Sequence, residues 1–170
     1  MKNKFSLLDR ETAEDLQSYL LRAKRLDVDG LVRLRAYGSV LAAYVAPIYA
    51  GSLMESGPTV MGLRTCELAG DSEVEALVPI AAVLDRLARL LELPGWHAAD
   101  SEISLPASER AAWAGVLPPR GGWQLTTQIN ESRLTEIARE GIEEVAAALP
   151  ESVGGPIAAR IRGETWGRSI

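Results

Sequence analysis

Arg33 and Arg35 alternate with Val32, Leu34 and Ala36. A period of two places both guanidiniums on one side of a strand and the aliphatic side chains on the other. Two neighbouring guanidiniums can hold a carboxylate or a phosphate, and arginine over a tyrosine ring makes a cation–π contact. If the chain reverses at Gly38-Ser39, Tyr44 falls beside Arg33 and Ala42 beside Arg35. Arg64, on a further strand, is their next neighbour. Arg33, Arg35, Tyr44 and Arg64 are thus the candidate residues for binding a small anionic ligand. The same pattern also describes a half-exposed antiparallel sheet whose outer face is charged for contact with water.

Other reactive residues are few. Cys66 is the single cysteine and His97 the single histidine. A cysteine activated by an imidazole would be a nucleophile, but no activating motif surrounds Cys66. A lone cysteine among apolar strand residues reads as a small core side chain. One histidine excludes any site that needs two imidazoles from one chain. Asp71, Glu73 and Glu75 have strand spacing and could face a divalent cation together; without further ligands they read as a solvated acidic turn. Trp96, Trp113, Trp123 and Trp166 fall in irregular or terminal stretches. Each either plugs an element end onto the core or lines a pocket under the Pro/Gly-rich loops. The tail at Trp166-Gly167-Arg168 could instead dock on a partner subunit.

These residues need elements to position them. Residues 9–26 read as a helix, with Thr12 and Asp15 at capping-box spacing and Leu16, Tyr19, Leu20, Ala23 and Leu26 on one face. Asp27-Val28-Asp29-Gly30 breaks it. Strands are expected at 31–37 and 40–48, paired as a hairpin through Gly38-Ser39, so that Leu34 faces Ala43. A third strand follows at 59–68, a turn at 70–72 and a short fourth strand at 74–78. Pro79 opens a second helix whose stripe is Ile80, Val83, Leu84, Leu87 and Leu91. Residues 94–122 are irregular, with a short helix possible at 107–114. Residues 123–129 read as another strand. Asn130 caps a long helix to Leu149 with Leu134, Ile137, Ala138, Gly141, Ile142, Val145 and Leu149 inward. Gly141 costs that helix about 1 kcal/mol against alanine, which close approach of another backbone would offset. A last helix runs from Pro156 and fades by Gly163.

The chain has 170 residues, 47% of them apolar, which suits one domain with a real core. Its formal net charge is −5, divided as +2 over residues 1–65 and −7 over residues 66–170. Phosphate neutralisation needs clustered cations, so nucleic acid is disfavoured as a partner. Nine aromatic residues are too few for a base-stacking platform. No Gly-Lys pair follows a glycine loop, which excludes the phosphate loop of nucleotide hydrolases. Residues 36–54 carry no charge and are about as long as a bilayer span. Gly38, Ser39, Pro47, Gly51 and Ser52 interrupt them, so a turn, a buried strand and a loop are expected and no membrane partner. The apolar stretch after Lys4 is too short for a secretory signal. A cytoplasmic protein with a reduced Cys66 is expected.

Residues 58–65 (Pro-Thr-Val-Met-Gly-Leu-Arg-Thr), Gly121-Gly122-Trp123 and the helix around Gly141-Ile142-Glu143-Glu144-Val145 resemble an uncharacterised conserved protein family of GC-rich Gram-positive, actinobacterial bacteria. The resemblance runs over nearly the full length. It implies a cytoplasmic bacterial protein and transfers no activity, cofactor or site.

The expected architecture is a single α+β domain over residues 1–170. It has one antiparallel sheet of about four to five strands packed against amphipathic helices. The expected function is a non-catalytic interaction module forming a homodimer, because two amphipathic helices and the small residues Ala42, Ala43 and Ala46 invite close packing. The alternatives are a binder of a small anionic ligand and an enzyme whose carboxylate acid/base groups lie scattered in sequence. No cofactor and no metal is expected.

Overall fold

Asp9 starts the first helix. Its carboxylate accepts the backbone N–H of Thr12 at 2.8 Å, capping α1 (Arg10–Leu26). The cap therefore lies three residues before the Thr12–Asp15 spacing. Ala13, Leu16, Leu20 and Ala23 form the buried stripe of α1. At its end the N–H of Gly30 donates to Asp27 O at 3.1 Å, and the Gly30 carbonyl accepts from Ile80 at 3.0 Å. The aspartate–glycine turn thus joins the start of one strand to the end of another.

A computed structural model gives the structure of the chain and describes residues 3–50, 57–97, 101–115, 117–119, 121–149 and 154–169. It contains two compact units, one of Met1–Pro47 with Met61–Ala114, the other of Ile48–Val60 with Gly115–Ile170.

The first unit is built on two long strands, β2 (Leu31–Ile48) and β3 (Val60–Pro79), which pair with each other. β1 (Lys4–Ser6) pairs antiparallel with β4 (Glu102–Ser104), with Phe5 opposite Ile103. An isolated antiparallel bridge from Leu7 to Leu68 joins the two ladders. The class is α+β as expected, but among the described residues there are two two-stranded sheets instead of one sheet of four or five strands. The reason lies at Gly38 and at Gly70-Asp71-Ser72. Neither reverses the chain. The expected strands 31–37 and 40–48 are two halves of β2, and 59–68 and 74–78 are two halves of β3.

Gly38 adopts a φ of 68°, open to glycine without strain. Before it the buried side chains are Val32, Leu34 and Ala36; after it they include Leu41, Ala43 and Val45. The alternation changes parity, as it does when one strand of a pair holds an extra residue. On β3 Cys66, Leu68, Val74, Ala76 and Val78 are buried at one parity on either side of Gly70-Asp71-Ser72, with Leu77 buried beside them at the end. The change of parity therefore lies on β2.

α2 (Ile80–Leu91) follows β3 directly and buries Ile80, Val83, Leu84, Leu87 and Leu90. Leu90 takes the inward place expected for Leu91, which is partly buried against the core. α1 and α2 pack on each other. Leu16, Leu20, Leu34, Leu41, Ile80 and Leu87 are among the fully buried side chains. Each contributes about 1.5–3 kcal/mol by leaving water. The short helix expected at 107–114 is one 3₁₀ turn, Ala112–Gly115, with Trp113 buried.

In the second unit, α3 (Glu131–Ala148) and α4 (Gly155–Trp166) pack together. The expected inward stripe of α3 is not buried. Only Gly141 is, while Leu134 is 44% and Ile142 62% exposed. The strand expected at 123–129 does not form, and Trp123 and Leu125 are 70% and 79% exposed. Periodicity identifies which side of a helix is apolar. It does not supply the surface that covers it. Among the described residues no helix is long and apolar enough to cross a membrane.

Candidate functional site

The side of β2 opposite Val32, Leu34 and Ala36 carries Arg33 and Arg35, and both reach Glu75 on β3. Arg33 Nε donates to Glu75 Oε1 at 2.8 Å and its Nη2 lies 2.7 Å from the same oxygen. Arg35 Nε donates to Glu75 Oε2 at 2.8 Å. Arg33 Nη1 also donates to the carbonyl of Ala114. One carboxylate thus holds two guanidiniums, leaving the trio with a net charge of +1. Glu75 sits in the place where an anionic ligand was expected.

Tyr44 does not join this group. It is buried, eleven residues beyond Arg33 along a continuous strand, a path of about 36 Å. The contacts of Tyr44 with Arg33 and of Ala42 with Arg35 required the hairpin that β2 does not make. Arg64 is held elsewhere. Its Nε and Nη2 make a bidentate pair with Asp15 of α1, both bonds 2.6 Å. This pair borders a cavity of about 420 Å³ with Glu11, Glu67 and Cys66. Three carboxylates and one guanidinium make that cavity unfavourable for an anion.

Cys66 is buried, and burial pushes its thiol up to about 11, with Asp15 adding to the shift and Arg64 opposing it. It is therefore a protonated thiol at neutral pH, not a nucleophile. His97 lies in a different place, with Leu90, Leu93 and Trp96 around a cavity of about 430 Å³. Trp96 packs on the core and donates to Leu8 O at 3.2 Å. Trp96 thus both packs on the core and lines a cavity, and Trp113 is buried. Among the described residues no three His, Cys, Asp or Glu side chains are placed to hold a metal ion. Glu75 is occupied by arginine.

The tail at Trp166-Gly167-Arg168, which could also dock on a partner, packs on α3 of its own chain. Trp166 covers Gly141, Thr165 Oγ1 donates to Glu144 at 3.2 Å, and Arg168 pairs with the same carboxylate. The Arg168 hydrogen bond is the largest influence holding Glu144 below the usual carboxylate range. Asp9 is also lowered, first by the N–H of Thr12. Asp9 is half-buried and Glu144 exposed, and both hold helix contacts of their own chain. The partners that sequence reasoning missed are Glu75, Asp15 and Ala114. The period-two acidic run containing Glu75 was the available signal, legible only once 31–48 and 60–79 are paired as whole strands.

No curated protein and no solved structure matches the chain. Residues 118–170 match a domain of unknown function, DUF8185. Residues 1–115 match another, DUF8010, and the division between the two falls where the first compact unit ends, at Ala114. The chain, matched over more than half its length, belongs to the DUF8010 family of unknown function.

Proposed function

We propose that the chain is a non-catalytic interaction module that forms a homodimer through the apolar side of α3. One observation carries this reading: the side of α3 that bears Leu134, Gly141 and Ile142 buries only the glycine. Leu134 and Ile142, together with Ile157 of α4, stand in water. A helix with an unpacked apolar stripe gains by covering it. The small residues of β2 do not serve this purpose, because Ala43 and Ala46 are already buried in their own chain. Light scattering on the full chain across micromolar concentrations tests the reading. A dimer weakened by Ile142→Glu is expected, and a strict monomer overturns it.

A second reading, a small anion at Arg33 and Arg35, is favoured by the convergence of two guanidiniums with net positive charge. The anion would take the place of Glu75. Inorganic phosphate should then raise the melting temperature of Glu75→Gln more than that of the unaltered chain. Equal responses remove this reading.

A further inference from the structure

Gly163 and Gly167 stand four residues apart at the end of α4 and so lie on one row of the helix. Glycine weakens a helix, and neither residue has the positive φ that favours it. Space is what they provide. A Cβ built on Gly167 would overlap Cγ of Pro58 and lie 2.6 Å from its Cβ. One built on Gly163, which is buried, would touch Cγ2 of Ile48 at 3.8 Å. Thr165 and Trp166 turn the other way, to Glu144 and Gly141 of α3. So one side of α4 holds α3, and another meets the two ends of the connection between β2 and β3. All these residues belong to the second unit, to which Ile48–Val60 contributes. Yet Ile48 and Pro58 fall within the DUF8010 match, whereas α3 and α4 fall wholly within the DUF8185 match.

We infer that Ile48 and Pro58 form a docking surface on which the DUF8010 part takes a separable module: a pair of α-helices with glycine at the position of Gly167. In this chain that pair is α3 and α4, supplied in cis, and it is seated on the surface in the structure. The two family matches support separability, since they end and begin at 115 and 118 and leave only two residues between them. The seat selects its partner by shape. A proline ring is rigid and does not swing aside as a long side chain does, so any side chain at 167 meets it. The short link at 116–117 keeps the helix pair concentrated beside its seat. Cutting the link removes that help and leaves Ile48, Pro58, Gly163 and Gly167 untouched.

The inference is independent of the homodimer reading, because association of whole chains does not decide whether the two parts of one chain stay together. A specific protease site is placed between Gly115 and Leu117 of the full chain, and the cut protein is passed through a sizing column at micromolar concentration. The two fragments are expected to travel together, with buried Cys66 still slow to alkylate as a sign that the first unit is folded. Gly167→Ala should raise the dissociation constant of the cut pair about tenfold or more. Pro58→Gly in the same chain should recover part of that loss, because it removes the ring and the Cβ that the added methyl meets. Fragments that separate, or a cut that exposes Cys66, overturn the inference. So does a Gly167→Ala pair that binds as the unaltered pair does. A weakened Gly167→Ala pair that Pro58→Gly does not recover puts the strain inside α4, at the Gly163 carbonyl 2.6 Å from the added Cβ, and overturns the seat on Pro58.

Discussion

The indole of Trp166 covers the bare backbone of Gly141: a Cβ built on that glycine would lie 2.6 Å from Cη2 and 2.7 Å from Cζ3 of the ring. Both positions belong to the second unit, and the contact locks α4 to α3. Gly141→Ala should therefore destabilise this unit by about 1–2 kcal/mol, overpacking outweighing the helix propensity gained. In a Trp166→Ala background the sign should reverse, and the same substitution should stabilise by up to about 1 kcal/mol. Thermal unfolding of the four chains forms the cycle that checks it.

Glu75 faces a different demand, since it alone separates Arg33 from Arg35 among the contacts described. Glu75→Ala leaves two guanidiniums side by side, each side chain less than a quarter exposed. A loss of about 1–3 kcal/mol is expected in urea unfolding. Arg35→Ala leaves Glu75 still paired with Arg33 and should cost less.

Asp9 links the N-terminus of α1 to pH. Its carboxyl is held below the ordinary 3.8 by the N–H of Thr12. A lowered carboxylate stabilises the folded chain above its unfolded value, and that contribution is lost as pH falls through the lowered one. Asp9→Asn keeps an acceptor, and Asp9→Ala removes it at a cost typical of N-caps. Acid unfolding should show the contribution fading below the ordinary aspartate range in the unaltered chain and missing in Asp9→Asn.

Cys66 gives the opposite sign at the other end of the scale. Its thiol is raised from 9.0 to about 11 by burial. The neutral thiol is favoured by folding, so its contribution is complete below 9 and declines as pH rises towards 11. An alkylating reagent at pH 8 should label the native chain far more slowly than the urea-unfolded chain. Rapid labelling of native protein would contradict the burial.

Much of the first unit could be read from side-chain spacing. The helix over 9–26, the inward set Val32, Leu34 and Ala36, and the helix after Pro79 all follow from local periodicity, because one side of each meets the core. The topology could not be read so. Gly38-Ser39 and Gly70-Asp71-Ser72 carry the chemistry of turns, yet they lie across from each other in one ribbon; a Cβ on Gly38 would sit 3.8 Å from Asp71 Oδ1. Turn residues allow a reversal, and pairing over long range decides whether it occurs. The grouping of Tyr44 and Arg64 with Arg33 and Arg35 failed for the same reason. Tyr44 was placed by the hairpin, and Arg64 by adjacency to it. Arg33 and Arg35 were correctly set on one side, but their partner came from a residue forty positions later, beyond the reach of any local pattern.

The segment from Asn3 to Leu8 is flanked on both sides: its strand meets Glu102–Ser104, Leu7 bridges Leu68, and Phe5 and Leu7 are buried. These residues leave the ribosome first among those of the first unit, while their neighbours arrive some sixty and a hundred residues later. At ordinary translation speeds Leu7 waits roughly 3–12 s for Leu68 and longer for Ile103. During that interval a phenylalanine and two leucines remain in solvent. The first unit therefore closes only when residues up to Ala114 have emerged.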